Sequence, residues 1–207
     1  VTAQTVPALD HDFSIARLER LLATDNPEVE WRHDIDFDPE CALKMAQLEH
    51  RLGIRSTYYV MGRGDFYNPF GTKTSQLFKE VIGYGHTLGM HVDLELGRGS
   101  QVSTESMRRA CEWDWLLFQE GGLDVTRRVA FHAPPRNVYW RDVPGFEHAL
   151  APQWADRYVA DSRGVWRESP EEMLAAGGPV QVNCHPEWWW WPANVTARVR
   201  KVEAAKP

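Results

Sequence analysis

Val29-Glu30-Trp31-Arg32-His33-Asp34-Ile35-Asp36 reads as a β-strand that closes on two carboxylates. Successive strand residues face opposite ways, so Asp34 and Asp36 share a face with their Cα atoms roughly 7 Å apart. Two carboxylates that close repel unless a cation lies between them or one takes a proton. One could hold a metal while the other serves as general base. A lone D-x-D is more often a helix cap beside a solvated acid, so its weight depends on what the rest of the chain supplies.

Four further strand-like runs also end on ionisable groups. They are Gly85-His86-Thr87-Leu88-Gly89-Met90-His91-Val92-Asp93, Val129-Ala130-Phe131-His132-Ala133-Pro134-Pro135, Tyr158-Val159-Ala160-Asp161-Ser162 and Val180-Gln181-Val182-Asn183-Cys184-His185-Pro186. The C-terminal ends of strands are where a (β/α) barrel assembles its site. Helical stretches separate the strands: Phe13 to Thr24, Asp38-Pro39-Glu40 onward to Gly53, Gln76 to Ile82, Ser103 or Thr104 to about Glu120, and Pro170 to Ala176. This alternation predicts an α/β fold with at least six mostly parallel strands. No G-x-G-x-x-G follows a strand, which argues against a dinucleotide-binding sheet.

In an extended 87–92 segment His86 and His91 stand roughly 16 Å apart, too far to share one ion. His86 sits at the strand entrance as a structural residue, and His91, beside Asp93 at the exit, is the foremost candidate ligand. His132 and His185 are followed closely by proline, which enforces extended backbone and pins an imidazole at the rim. Trp188 to Trp191 could stack on a sugar ring or pack the C-terminal helix. Trp113, Trp115, Trp154 and Trp166 are expected in the core.

The 207 residues suffice for one well-buried domain. A net charge of -6 argues against a general nucleic-acid binder. The only basic clustering, Arg198, Arg200 and Lys201, reads as a solvated helix face. Cys41, Cys111 and Cys184 show no ligand spacing and are expected as reduced core residues. No stretch approaches the roughly twenty apolar residues of a membrane span. No signal-peptide pattern opens the sequence, so a cytoplasmic location is expected.

The run Trp31 to Asp36, with Ala42-Leu43-Lys44-Met45-Ala46, Gly53-Ile54-Arg55-Ser56-Thr57-Tyr58-Tyr59-Val60 and Gly85-His86-Thr87-Leu88-Gly89-Met90-His91 after it, resembles the polysaccharide deacetylase superfamily (NodB-like, carbohydrate esterase family 4). Its H-D-x-D first motif resembles the intracellular branch, and the likeness spans roughly Trp31 to Trp188. The resemblance implies a single NodB-like domain over residues 1–207, with an N-terminal helical extension (1–27) and a C-terminal tail (192–207). It implies a distorted, incomplete (β/α)7-type barrel that binds one divalent metal, usually zinc, and hydrolyses an N-acetyl or other acyl group. By motif position Asp34 matches the base, Asp36 and His91 the metal ligands, His185 the general acid and Asp161 the aspartate that tunes it. His33, His132, Pro134 and Trp188 are the expected substrate contacts.

Two departures stand out. Glu95 occupies the position of the family's second metal histidine, so Asp93 (if the segment stays extended) or Glu95 (if it turns helical) must replace it. A carboxylate-rich set shifts preference from zinc toward manganese or iron. His132 also stands where the third motif has arginine. The expected function is a deacetylase acting on a small acylated substrate, sugar-like or nucleotide-linked, with no nucleic-acid or membrane partner. The alternatives are a barrel kept for carbohydrate binding or complex formation, and different metal chemistry on a non-sugar amide.

Overall fold

A computed structural model describes residues 10–94, 101–196 and 199. Glu95, the start of the expected N-terminal extension and the basic residues of the tail (Arg198, Arg200, Lys201) lie outside the described residues. Seven strands form one sheet: β1 (Val29–Ile35), β2 (Thr57–Val60), β3 (Thr87–Val92), β4 (Arg128–Phe131), β5 (Glu147–His148), β6 (Tyr158–Ala160) and β7 (Val180–Cys184). Every pairing is parallel, and the order is β5-β4-β3-β2-β1-β7-β6. The sheet is curved into an incomplete barrel whose edges, β5 and β6, do not pair.

The helices are α1 (Ile15–Leu22), α2 (Pro39–Arg51), α3 (Thr72–Gly83), α4 (Thr104–Gly121), α5 (Pro170–Ala175) and α6 (Glu187–Trp190). Asp38 caps α2, its side chain accepting from the Glu40 amide, with Pro39 at the first helical position. Ser103 and Ser106 form a reciprocal capping box on α4, and Gly122, left-handed at φ 69°, ends it. Helix α3 begins four residues before the expected Gln76. Its first turn, Thr72-Lys73-Thr74-Ser75, carries no apolar stripe and is held by Ser75 N–H donating to the Gly71 carbonyl. Strand β5 escaped the sequence reading because two residues carry no periodicity.

Period-two alternation gives the sheet two distinct faces. Ile35, Tyr58, Val60, Met90, Val129 and Val182 point outward into the main core, against helix residues such as Met45, Phe78 and Cys111. Each such large apolar side chain contributes about 1.5–3 kcal/mol by leaving water. Among the described residues no helix is long and apolar enough to cross a membrane. The three cysteines are buried and unpaired by disulfides, as expected. Trp113 is not core: it is 63% exposed, because the buried stripe of α4 is Met107, Cys111, Asp114 and Phe118.

His33, expected at the substrate, lies on the outer face and is fully buried. Its Nε2 is 2.7 Å from Glu49 Oε1 on α2, and its Nδ1 is 3.2 Å from the Cys184 carbonyl. The Ser56 and Tyr58 hydroxyls donate to the same Glu49 carboxylate at 2.7 and 2.5 Å. His86 completes this structural knot, with Nε2 3.1 Å from the Ala46 carbonyl and Nδ1 accepting from the Ser56 amide.

Candidate metal centre

The inner face carries the polar residues. On β1 the residues of the opposite parity from His33 are Arg32 and Asp34, with Asp36 just beyond the strand. Across the sheet, Asn183 lies opposite Arg32, and His91 opposite Ala130. Gly89 sits on the same face of β3 as His91. A Cβ there would fall 2.7 Å from the Tyr59 ring, so glycine is what lets that ring lie flat against β3.

Asp36, His91 and His132 place their ligand atoms within 4.8 Å of one another. His91 Nε2 is 3.0 Å and His132 Nδ1 3.2 Å from Asp36 Oδ1, and the two ring nitrogens are 3.3 Å apart. His91 Nδ1 faces the Ala130 carbonyl at 3.3 Å. A carbonyl only accepts, so Nδ1 carries the proton and Nε2 turns its lone pair toward Asp36. This is the arrangement in which a backbone acceptor fixes the tautomer of a metal-binding histidine. Three electron-pair donors converging on one point require a cation or additional protons between them, so the donor set fits a divalent metal.

Charge agrees with the geometry. Burial opposes the ionised form of Asp36, yet the neighbouring imidazoles, His132 foremost, hold its carboxyl well below the usual range. Burial likewise pushes His132 down, but the Asp36 carboxylate outweighs it and the imidazole is raised. Asp93, expected as a ligand, lines the same cavity but lies outside this cluster. The third member of the cluster is His132, which the sequence reading had put at the substrate.

Two further groups flank the cluster. His185 Nδ1 is 2.6 Å from Asp161 Oδ1, and its Nε2 points to Asp36 Oδ2 at 3.8 Å. Burial disfavours the imidazolium, but the Asp161 carboxylate more than compensates and raises His185 to about 10. Asp161 is itself fixed by the His185 amide and by the Trp189 indole N–H, 3.1 Å from Oδ2. Asp34 accepts from Arg32 Nε and Nη2 at 2.9 and 2.7 Å and from Asn183 Nδ2 at 3.0 Å. Against the cost of burial, the Arg32 charge lowers Asp34 to about 2. Arg32 thus meets the Asp34 carboxylate although the third motif lacks arginine. Its i, i+2 spacing from Asp34 was the sequence signal for it.

These groups open into a cavity of about 1260 Å³. Of the expected substrate contacts, Pro134, Trp188 and His132 line it and His33 does not. Glu187, which follows His185 by two residues, was missed by the sequence reading. It is fully buried with neither carboxyl oxygen hydrogen-bonded, and burial beside Asp36 pushes it well above the ordinary range. It is therefore a neutral acid packed behind the centre.

No protein-family model and no curated protein matches the sequence. Solved structures do match its fold. A family 4 carbohydrate esterase from Streptomyces lividans, solved with acetate, is 15% identical with a TM-score of 0.50, over 89% of this chain and 91% of that one. The chitin deacetylase of the fungal pathogen Colletotrichum lindemuthianum is 13% identical with a TM-score of 0.52, over 87% and 84%. A CE4 family pseudoenzyme from Bacillus anthracis is 12% identical with a TM-score of 0.53, over 87% of this chain and 60% of its own. The architecture is that of the carbohydrate esterase family 4 structures.

Proposed function

We propose that the protein is a metal-dependent hydrolase that removes an acyl group from a small, carbohydrate-like substrate. The observation that carries this reading is the convergence of Asp36, His91 and His132 beside a histidine whose far nitrogen is held by a buried aspartate. One carboxylate and two imidazoles suit zinc, with manganese or iron as the alternatives. This set is softer than the carboxylate-rich one expected with Asp93 or Glu95.

Asp36, His91 and His132 would hold a divalent cation, which would supply Lewis acidity toward the acyl carbonyl and the attacking water. Asp34 orients that water by accepting its hydrogen bond and takes its proton as the new C–O bond forms. Arg32 and Asn183 fix the direction of the carboxylate and keep it ionised. His185 carries a proton on Nε2 and gives it to the departing amine or alcohol, while Asp161 retains the proton on Nδ1. Trp188 and Pro134 shape the wall against which the acyl compound lies.

The test is acetate release from a panel of N- and O-acetylated sugars, with zinc, manganese or iron supplied in turn. Turnover with one of these metals is expected, and Asp36→Ala and His185→Ala should each abolish it. A protein that binds the metal but releases no acyl group from any compound would overturn the reading. It would favour a catalytically altered barrel, as in the Bacillus anthracis neighbour.

A further inference from the structure

The cavity, at about 1260 Å³, is larger than an acetylated sugar ring needs, and its lining includes many residues besides Asp36, His91 and His132. One arm of its lining comes from the segments 135–141 and 162–168, which bring Arg136, Tyr139, Trp140, Arg163 and Arg167 to the cavity. We propose that this arm binds an anionic group of the substrate, a phosphate or carboxylate, so that acylated compounds bearing such a group are preferred over neutral sugars. The proposal rests on the hydrolase reading for the acyl end of the cavity.

Among the described residues, ion pairs neutralise some arginines of the chain and leave others, such as Arg20, Arg51, Arg109 and Arg157, unpaired; those of this arm combine the lack of an ion pair with a place in the cavity lining. Arg17 is paired with Asp10 and Glu171, Arg108 with Glu105 and Glu112, and Arg128 with Glu147. Among the described residues Arg136, Arg163 and Arg167 form no ion pair, although the acids Asp156 and Glu168 line the same cavity. Arg167 reaches only the Ser162 carbonyl, at 3.4 Å. Three unneutralised guanidiniums on a chain of net charge -6 are suited to bidentate recognition of an oxyanion.

The backbone points the same way. Among the described residues three non-glycines have positive φ: Ala133 (39°), Trp140 (56°) and Arg163 (62°). All three line this cavity. Such conformations cost about 1–3 kcal/mol each and gather where a side chain must be presented in a set direction. The turn that carries Arg163 is closed on Asp161, whose carbonyl accepts from the Gly164 and Val165 amides at 2.9 and 3.3 Å. The residue that holds His185 therefore also fixes the turn that presents Arg163. Tyr139 lies between the two ends. Burial raises its phenol, while Arg32 from the metal side and Arg163 and Arg167 from this arm all act to lower it.

Calorimetric binding and kcat/KM should be compared for N-acetylglucosamine, its 1-phosphate and its uronic acid counterpart. The variants are Arg163→Asn/Arg167→Ala, in which asparagine tolerates the left-handed backbone, and Arg109→Ala as an exposed control on α4. The wild type and the control should bind at least one charged compound about tenfold or more tightly than the neutral sugar, as expected for charge-assisted bidentate contacts. The double variant should lose that preference and leave binding of the neutral sugar unchanged. The phosphate and uronate arms identify which oxyanion is taken. Equal binding of all three compounds by the wild type, or a preference that survives the double variant, would overturn the proposal. Selective binding without acyl release would remove the hydrolase reading alone. Equal kcat/KM for neutral and charged substrates would remove the anion arm alone.

Discussion

His132 Nδ1 lies 3.3 Å from His91 Nε2, across the junction of β3 and β4, with both directed at one oxygen of Asp36. Two imidazoles from adjacent strand ends thus meet Asp36 where a histidine and a carboxylate from a single segment were expected.

His132→Ala should weaken metal binding by more than the roughly 10–100-fold that loss of an outer partner of a ligand costs. Asp93→Asn should leave metal content unchanged. Metal analysis after dialysis against graded chelator decides the matter. Comparable loss in both variants would return Asp93 to the ligand set.

Arg32→Met leaves the Asp34 carboxylate buried without its cation, and should cost about 3–5 kcal/mol of stability. Arg32→Met/Asp34→Asn should recover a large part of that loss, because the two residues form one buried pair. Urea midpoints of the wild type, both single variants and the double variant give the coupling. Strict additivity would mean that the pair is not the unit described.

His33→Leu removes a partner of the fully buried Glu49 and should destabilise the fold by about 3 kcal/mol. Since His33 does not line the cavity, KM should stay within twofold or so of wild type, the residue making no contact to lose there. A raised KM at unchanged stability would place His33 at the substrate after all.

His148 gives the acid dependence. Burial lowers its pKa to about 4, with Nδ1 bonded to the Arg141 carbonyl at 2.7 Å and the ring edge-on to Phe131. The folded value lies below the unfolded one near 6.5, so above that pH neither state carries the proton and nothing is lost. As pH falls from about 6.5 to 4 the unfolded chain is protonated first and stability drops, by about 3 kcal/mol in all. The difference in urea stability between the wild type and His148→Gln, followed across that window, should change by this amount. A flat difference would show that His148 is accessible to protons in the folded state.

Much of the fold could be read from the sequence because alternation of strand and helix is a strong, repeated signal, and Asp36, His91 and His132, each singled out at a strand end, are the residues that cluster in the structure. The same period-two rule already separates His33 from Asp34 and Asp36, so the misplacement of His33 came from reading a motif as a block instead of as two faces. His132 was harder. Whether a histidine on β4 or an acid after β3 completes the ligand set depends on side-chain direction across a strand junction, which spacing along the chain does not encode. Glu187 carried no local signal either. A glutamate in the first turn of a helix ordinarily faces water, and only the packing of α6 behind Asp36 encloses it.

The sheet begins at β5 with two residues and ends at β6 with three, and the two edges do not meet. The groups proposed for chemistry lie at the C-terminal ends of the inner strands β1, β3, β4 and β7, with Asp161 just after the edge strand β6. The walls of the arginine arm belong to turns beside the opening, where no register constrains length. Substitutions in the 135–141 segment can therefore alter which compound is taken without moving the reacting groups, whereas the 162–168 turn is tied through Asp161 to His185.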